Sequence, residues 1–442
     1  MADGTNNVNT NVSTNLTFNQ LATVMGTIYG LATGQTAFNA PTNTADFIST
    51  AQHALRRGYD PLIGAISQVL SRTIFSIRPY SAKFTEIRWD SQKWGNAVRK
   101  INFADGGFED DSRLPLTDGS SVDMYTVKKP KIFETQWFNS NIYAKHYTIF
   151  RDQLDTAFSG VDEFQRFLTG VTTNVSDMLE QSREEFARSI IANYIGALYA
   201  QGTGQTPRDT GRVIKLCTDF CTEMGISTGQ QGDTYATPRA AALADANYDK
   251  FMKWLFARIA IISKLFTERS QLYQSLVYET SNNVDTLIPI MRHTPYENQR
   301  MYLYVDVLKN IDTRVLSAAF HDNYLKIGKH NTVSYWQSIK DGSYTTGSGQ
   351  NEVTHALGRD SVYVNPATID KNGVYNTSPS AVDVPHVFGI LFDENALAMT
   401  EGSSWSAPTP FNAAGGYSNV HFHTTIRGMN DLTEKGVLFL LD

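Results

Sequence analysis

The sequence predicts an α+β chain built around one very long helix, and three observations carry that expectation. Apolar residues recur at steps near three or four from Phe164 to Leu198, strand-like runs flank a polar excursion between residues 83 and 150, and apolar strands close the sequence. With 442 residues, 41% apolar and 19% charged, the composition is that of a globular protein and excludes wholesale disorder, collagen and coiled coil. The length corresponds to roughly three domains or one elaborated one. Lys+Arg 38 against Asp+Glu 44 leaves a net charge of −6, so the basic excess that would release counterions from a nucleic acid is missing. Twenty-one Tyr and 24 Phe fit extensive interfaces.

Residues 1 to about 15 are polar and Asn/Thr-rich, with neither a basic n-region nor an apolar h-region, and are expected to form a flexible arm rather than a secretory signal. Leu16, Leu21, Val24, Met25, Ile28 and Leu31, then Leu62, Ile66, Val69 and Leu70, predict short helices up to about residue 78. Phe84 to Trp89 and Lys131 to Trp137 read as strands on either side of Asp105-Gly106-Gly107-Phe108-Glu109-Asp110-Asp111 through Asp118-Gly119, which is too polar for a core. The whole is expected to be a long projecting β excursion. The helix that follows starts at a capping-box-like Ser159/Asp162, stops at Gly202 and is on the order of 60 Å long. Its apolar face is wider than an a/d seam and favours packing on a sheet.

Cys217 and Cys221, the only cysteines, are four apart and read as a reduced pair on a helix. A second helix is expected from Tyr248 to about Phe266, a strand over Tyr302 to Val307, and a helix over Thr313 to Phe320. Residues 341 to 380 read as loop-rich, and Val387 to Phe392, Asn419 to Arg427 and Gly436 to Leu441 as terminal strands beside the long helix. The longest apolar runs, Ile259 to Ile262 and Val437 to Leu441, fall far short of the roughly 18 residues of a membrane span, and a soluble chain folded in the cytoplasm is expected.

No motif demands chemistry. Gly328-Lys329 is followed by His330 where a phosphate-binding loop needs Ser or Thr. His421 and His423 share one strand face without further ligands at metal spacing, and read as outer-face histidines. Gly402-Ser403-Ser404-Trp405-Ser406 lacks the closing Gly of a nucleophile elbow and reads as a surface loop. The pairs Asp110/Asp111, Glu184/Glu185 and Asp393/Glu394 read as solvated, whereas acid–base catalysis needs carboxylates in unlike environments. No catalytic, cofactor-binding or metal-ligating residue is expected. The acidic run and Lys128, Lys129 and Lys131 lie on opposite limbs of the excursion, to pair within one chain or with a neighbour.

The order arm, projecting β excursion, very long helix, α+β region and returning strands resembles the major capsid protein of tailed phages with the Hong Kong 97 fold. Its parts are the N-arm, E-loop, P-domain spine helix, A-domain and closing P-domain sheet. Lys129-Pro130-Lys131-Ile132-Phe133-Glu134 through His146-Tyr147-Thr148-Ile149, then Asp152, Leu154 and Thr156-Ala157-Phe158, resembles the E-loop return of the phi-29-like short-tailed phages (podoviruses). Met301 to Asp306 with Val315 to Phe320 resembles their A-domain, and Val387 to Met399 with Val420 to Leu441 their closing strands.

The resemblance implies residues 1–80 as N-terminal arm and helices, 81–158 as E-loop with adjoining P-domain strands, 159–202 as spine, 203–395 as A-domain with loops, and 396–442 as closing strands. It implies a head protein that self-assembles through pentamers and hexamers into an icosahedral or prolate shell, made in the host bacterial cytoplasm and found in the virion. The shell encloses double-stranded DNA without sequence-specific binding. A separate scaffolding protein and a portal are implied as partners; membrane contact, a decorating immunoglobulin-like domain and enzymatic activity are not. The intersubunit E-loop candidates are Asp105, Glu109, Asp110, Asp111, Arg113, Lys128, Lys129 and Lys131. The expected packing face of the spine is Phe164, Phe167, Leu168, Val171, Val175, Met178, Phe186, Ile190 and Tyr194. An encapsulin-like compartment and, from another class, a hydrolase acting through a carboxylate pair remain as alternatives.

Overall fold

An apolar stripe as long as the one between Phe164 and Leu198 requires several partners, and the architecture supplies them in succession. The computed structural model describes residues 18–33, 40–56, 65, 82–89, 98–104, 117–121, 125, 132–137, 141–158, 160–203, 211–281, 284–288, 290–306, 329–337, 342–346, 352–370, 372–376 and 380–442. Helices α1 (Phe18–Thr33) and α2 (Thr44–Arg56) precede an antiparallel ribbon of β1 (Val98–Phe103) and β2 (Ile132–Trp137). The strand β3 (Asn141–Phe150) runs straight into α3 (Arg151–Ala157), and the spine helix α4 (Val161–Thr203) follows with 43 residues.

Beyond it come β4 (Val213–Lys215), α5 (Leu216–Met224), α6 (Pro238–Ala242) and α7 (Asp245–Thr267). Then follow β5 (Tyr278–Ser281), β6 (Val284–Leu287), β7 (Gln299–Tyr304) and β8 (Lys329–Val333). Short strands β9 (Gly342–Thr346), β10 (Val353–Leu357), β11 (Val362–Val364), β12 (Thr368–Ile369), β13 (Tyr375–Asn376) and β14 (Val382–Val384) precede the closing strands. These are β15 (Val387–Asp393), β16 (Leu397–Pro408), β17 (Tyr417–Asn430) and β18 (Gly436–Leu440).

Two sheets organise the described chain. The larger has the order β4-β18-β15-β7-β8, with parallel pairs at both ends and antiparallel pairs between. Leu438 and Leu440 on one face of β18 join Ile191, Tyr194 and Leu198 of the spine, while Val437 and Phe439 on the other join Leu255, Ile259 and Phe266 of α7. A strand covered by helices on both faces has no use for alternation, which is why residues 437–441 read as one apolar run. The smaller sheet, β16-β17-β3, lies against the N-terminal half of the molecule. Its inner residues Ile149, Val420 and Phe422 pack with Leu21, Met25 and Ile28 of α1, Phe47 of α2 and Phe164 of the spine.

The structure departs from the sequence reading in three described places. Phe84 to Trp89 is not a strand: Thr85–Ile87 forms a 3-10 turn, Phe84 has φ 63°, and Phe84 and Ile87 both enter the core around the spine. Spacing of three suits a turn that buries its first and last residue, and the Trp89 N–H then donates to the Met399 carbonyl at 2.9 Å. The stretch from 341 to 380 is not plain loop but holds the antiparallel pairs β9/β10 and β12/β13, together with β11, which pairs with β14. Gly402 to Ser406 lies within β16, where the register against β17 shifts between Glu401 and Ser404. The bulge absorbs a small polar run that imitates a loop. The helix expected over 313–320 falls outside the described residues, as does the arm before Phe18.

Candidate assembly surfaces

Alternation along the β1/β2 ribbon sorts its side chains into two faces. In the register Val98↔Trp137 to Phe103↔Ile132, the inner face carries Lys100, Asn102, Phe133, Thr135 and Trp137. Lys100 Nζ lies 2.5 Å from Asp431 Oδ2 and 2.6 Å from Glu434 Oε1, in the turn between β17 and β18. Arg292 joins them, 3.2 Å from Glu434 Oε1, and donates to Asn102 Oδ1 at 2.8 Å. The Trp137 indole N–H donates to the Asn430 carbonyl at 3.2 Å. Burial opposes the Lys100 charge, but the two carboxylates outweigh it and hold the ammonium pKa above its ordinary value. Burial likewise opposes the Asp431 charge, and Lys100 and Thr433 reverse it, holding that carboxyl below the ordinary range. For Glu434 burial prevails over Lys100 and Arg292, and its pKa is raised. The ribbon is thus clamped at its root by a cluster of unlike charges.

The outer face is different. Arg99 and Glu134 make an exposed pair at 2.6 Å, and beyond it Ile101 (45% exposed), Phe103 (64%) and Ile132 (58%) stand in water. Phe103 and Ile132 are direct cross-strand partners. Three large apolar side chains side by side on a clamped ribbon form an exposed apolar face, of the kind that often marks an interaction surface.

Charges on the spine do a different task. Glu180 pairs with Arg183, which reaches Glu401 of β16 at 2.9 Å; Arg88 meets the same Glu401 at 2.5 Å; and the Ala82 N–H donates to Glu180 at 3.1 Å. One turn on, Glu184 holds Arg188 at 2.7 Å, whose guanidinium lies 3.7 Å from the Tyr335 ring centroid. Glu184 is therefore buried rather than solvated, as is Asp393, which accepts from Thr294 Oγ1 at 2.7 Å. Spacing of three and four placed both partners of these pairs on one helix face, where arginines could neutralise them. Carboxylates bound to arginine anchor 82–89 and β16 to the spine.

The outer face of the smaller sheet carries His146, His421 and His423, with Trp405 stacked on His423 at a 4.0 Å centroid distance. Among the described residues no group of three or more His, Cys, Asp or Glu could hold a metal ion, and no described helix is long and apolar enough to cross a membrane. Cys217 and Cys221 sit on α5 as free, buried thiols, and burial pushes the Cys217 thiol up to about 12.

The eight E-loop candidates, Asp105, Glu109, Asp110, Asp111, Arg113, Lys128, Lys129 and Lys131, lie outside the described residues. Of the spine residues, Phe164, Phe186, Ile190 and Tyr194 are buried and Met178 is half-buried. Phe167, Leu168, Val171 and Val175 lie on α4, with side chains outside the described set. Sequence reasoning missed the Lys100 clamp entirely. The one available signal was the dense polar turn Asn430-Asp431 to Thr433-Glu434-Lys435 between two apolar strands.

Polar clusters that anchor elements, with an apolar face turned outward on a fixed ribbon, define a protein that works through its surfaces, as a subunit of an assembly. The chain belongs to the Phi29-like phage major capsid protein family, whose profile matches residues 40–440. Among solved structures, the capsid of Staphylococcus phage Andhra is similar at 10% identity, covering 83% of this chain and 86% of that one, with a TM-score of 0.49. The capsid of cyanophage P-SCSP1u is similar at 11% identity, covering 82% and 89%, with a TM-score of 0.43. No curated protein matches the chain.

Proposed function

We propose that this major capsid protein builds its shell from pentameric and hexameric rings of identical chains, into an icosahedral or prolate head around double-stranded DNA. In this reading residues 81–158 form the projecting loop that reaches a neighbour, 159–202 the spine, 203–395 the A-domain, and 396–442 the closing strands. The charged residues from Asp105 to Lys131 named above take part in contacts between copies, and a separate scaffolding protein and a portal complete assembly in the host bacterial cytoplasm. The subunit acts by binding its own kind and catalyses nothing. The observation that carries the reading is the outward Ile101, Phe103 and Ile132 face on a ribbon whose other face is fixed by Lys100. Many weak contacts of that kind suffice when a closed shell multiplies them. A net charge of −6 suits a container that must not retain the DNA moved into it.

Phe103→Asp with Ile132→Asp tests this. Exposed substitutions should leave the melting temperature of the isolated chain within a degree or two, on the scale of surface changes of about 0.5 kcal/mol. Sedimentation should show loss of particles. Undiminished particle yield would remove the ribbon face from the assembly.

A further inference from the structure

Three segments distant in sequence meet at one carboxylate. Asp360 stands in the turn between β10 and β11, where the Ser361 N–H donates to the Gly358 carbonyl at 3.2 Å. His386 stands between β14 and β15, and Arg239 on α6. His386 Nδ1 lies 2.8 Å from Asp360 Oδ2, and because a carboxylate only accepts, the imidazole donates from this nitrogen. Arg239 Nη2 is 3.7 Å from the same oxygen. The hydrogen bond from His386 is the main cause that holds the Asp360 carboxyl below its ordinary range, against burial. The carboxylate therefore stays ionised over the range, from about pH 8 to 5, in which imidazoles take up a proton.

The backbone around the pair is tied to it. His386 has φ 56°, a left-handed conformation that a non-glycine residue keeps only where its surroundings impose it. The Val387 N–H, at the start of β15, donates to the Asp360 carbonyl at 2.7 Å, and the Leu441 N–H, just past β18, donates to the His386 carbonyl at 2.9 Å. Since β15 and β18 are paired through Val387 and Leu440, movement of the turn against His386 loosens two strands of the larger sheet at one end. The neighbouring charges are engaged elsewhere or exposed: Arg359 reaches Asp306 at 3.2 Å, Asp442 accepts from the Thr218 hydroxyl at 2.5 Å, and Asp383 is exposed on β14.

We propose that Asp360 and His386 form a latch that tightens in mild acid, fastening the start of β15 and the end of β18 to the turn after β10. With His386 neutral the two side chains share a hydrogen bond; with His386 charged they become an ion pair. The folded chain takes up that proton beside a carboxylate, whereas in the unfolded chain both groups face water. Stability at this corner therefore rises as pH falls through the imidazole range, and is lost again when Asp360 itself is protonated. Arg239 repels the imidazolium and limits the gain, as does exposure, 42% for the His386 side chain and 25% for that of Asp360. The latch lies within one chain and does not depend on the shell reading.

Hydrogen exchange of the full chain at about pH 8 and about pH 5.5, read by mass spectrometry and corrected for the intrinsic pH dependence of exchange, tests this. Peptides holding the Val387 and Leu441 amides should open about two- to fivefold less often at the lower pH, the range of a part-exposed ion pair. His386→Asn keeps a residue that accepts the left-handed conformation and removes the imidazole charge, and Asp360→Asn removes the carboxylate; each should abolish the difference. No difference in the wild-type chain would overturn the proposal whatever the variants do. An equal difference in the wild-type and His386→Asn chains would overturn it as well.

Discussion

Lys100 ties the ribbon to the turn between β17 and β18. Replacing it with Met leaves Asp431 and Glu434 buried without their shared cation, and loss of one partner in such a cluster costs about 3–5 kcal/mol. Calorimetry should show a marked fall in melting temperature for Lys100→Met, and a fall of no more than a degree or two would show that the clamp is solvated. Lys435 gives a pH signature of its own. Its ammonium donates to the Glu268 carbonyl at 2.7 Å and to Ser270 Oγ at 3.1 Å beyond the end of α7, and burial pulls its pKa down to about 8 despite Glu268 and Asp393. The unfolded lysine keeps its proton up to about 10.5, so between pH 8 and 10 the unfolded chain binds more protons and stability rises with pH. Urea titrations across that window should show the rise, and Lys435→Met should flatten it. Equal slopes for both proteins would contradict the assignment. Neither lysine was legible in the sequence, because Lys100 meets its carboxylates across 331 and 334 residues and no local pattern encodes such a contact.

At the scale of elements, the legible parts are those with a period. The spine was readable because apolar residues kept one phase over many turns, and β18 because a strand covered on both sides is apolar throughout. Phe84 to Trp89 misled because tertiary contact, with Phe84 at 5.1 Å from the Tyr302 ring, overrode its strand-forming residues. The pairing of β15 with β7 at Gly389 and Leu303 is a tight point in the core. A Cβ at Gly389 would stand 2.6 Å from the Tyr302 carbonyl oxygen and 2.6 Å from Leu303 Cδ2, so the strand itself would have to move. Gly389→Ala should therefore destabilise by about 1–3 kcal/mol or more, read as a lower urea midpoint at unchanged slope. Ile190→Ala, on the spine against β17, should cost about 2–5 kcal/mol through the cavity it leaves. Neither substitution touches an exposed face, so at temperatures where both variants remain folded, particle yield should follow stability alone.

For the whole molecule, the arrangement of parts explains why function was easier to read than sites. A capsid subunit needs no constellation of reacting groups to betray it; in the proposed reading its work is distributed over surfaces such as the ribbon face, held by a long spine. The order of elements along the chain was therefore more informative than any motif, and contacts within the chain, such as that of Lys100 with Asp431, emerged only with the fold. The central claim is that this chain closes into shells with its own copies. Electron microscopy of the expressed protein, alone and with a scaffolding partner, tests it most directly. The account predicts closed particles tens of nanometres across, or rings of five and six subunits. A monodisperse monomer or dimer under every condition would contradict it.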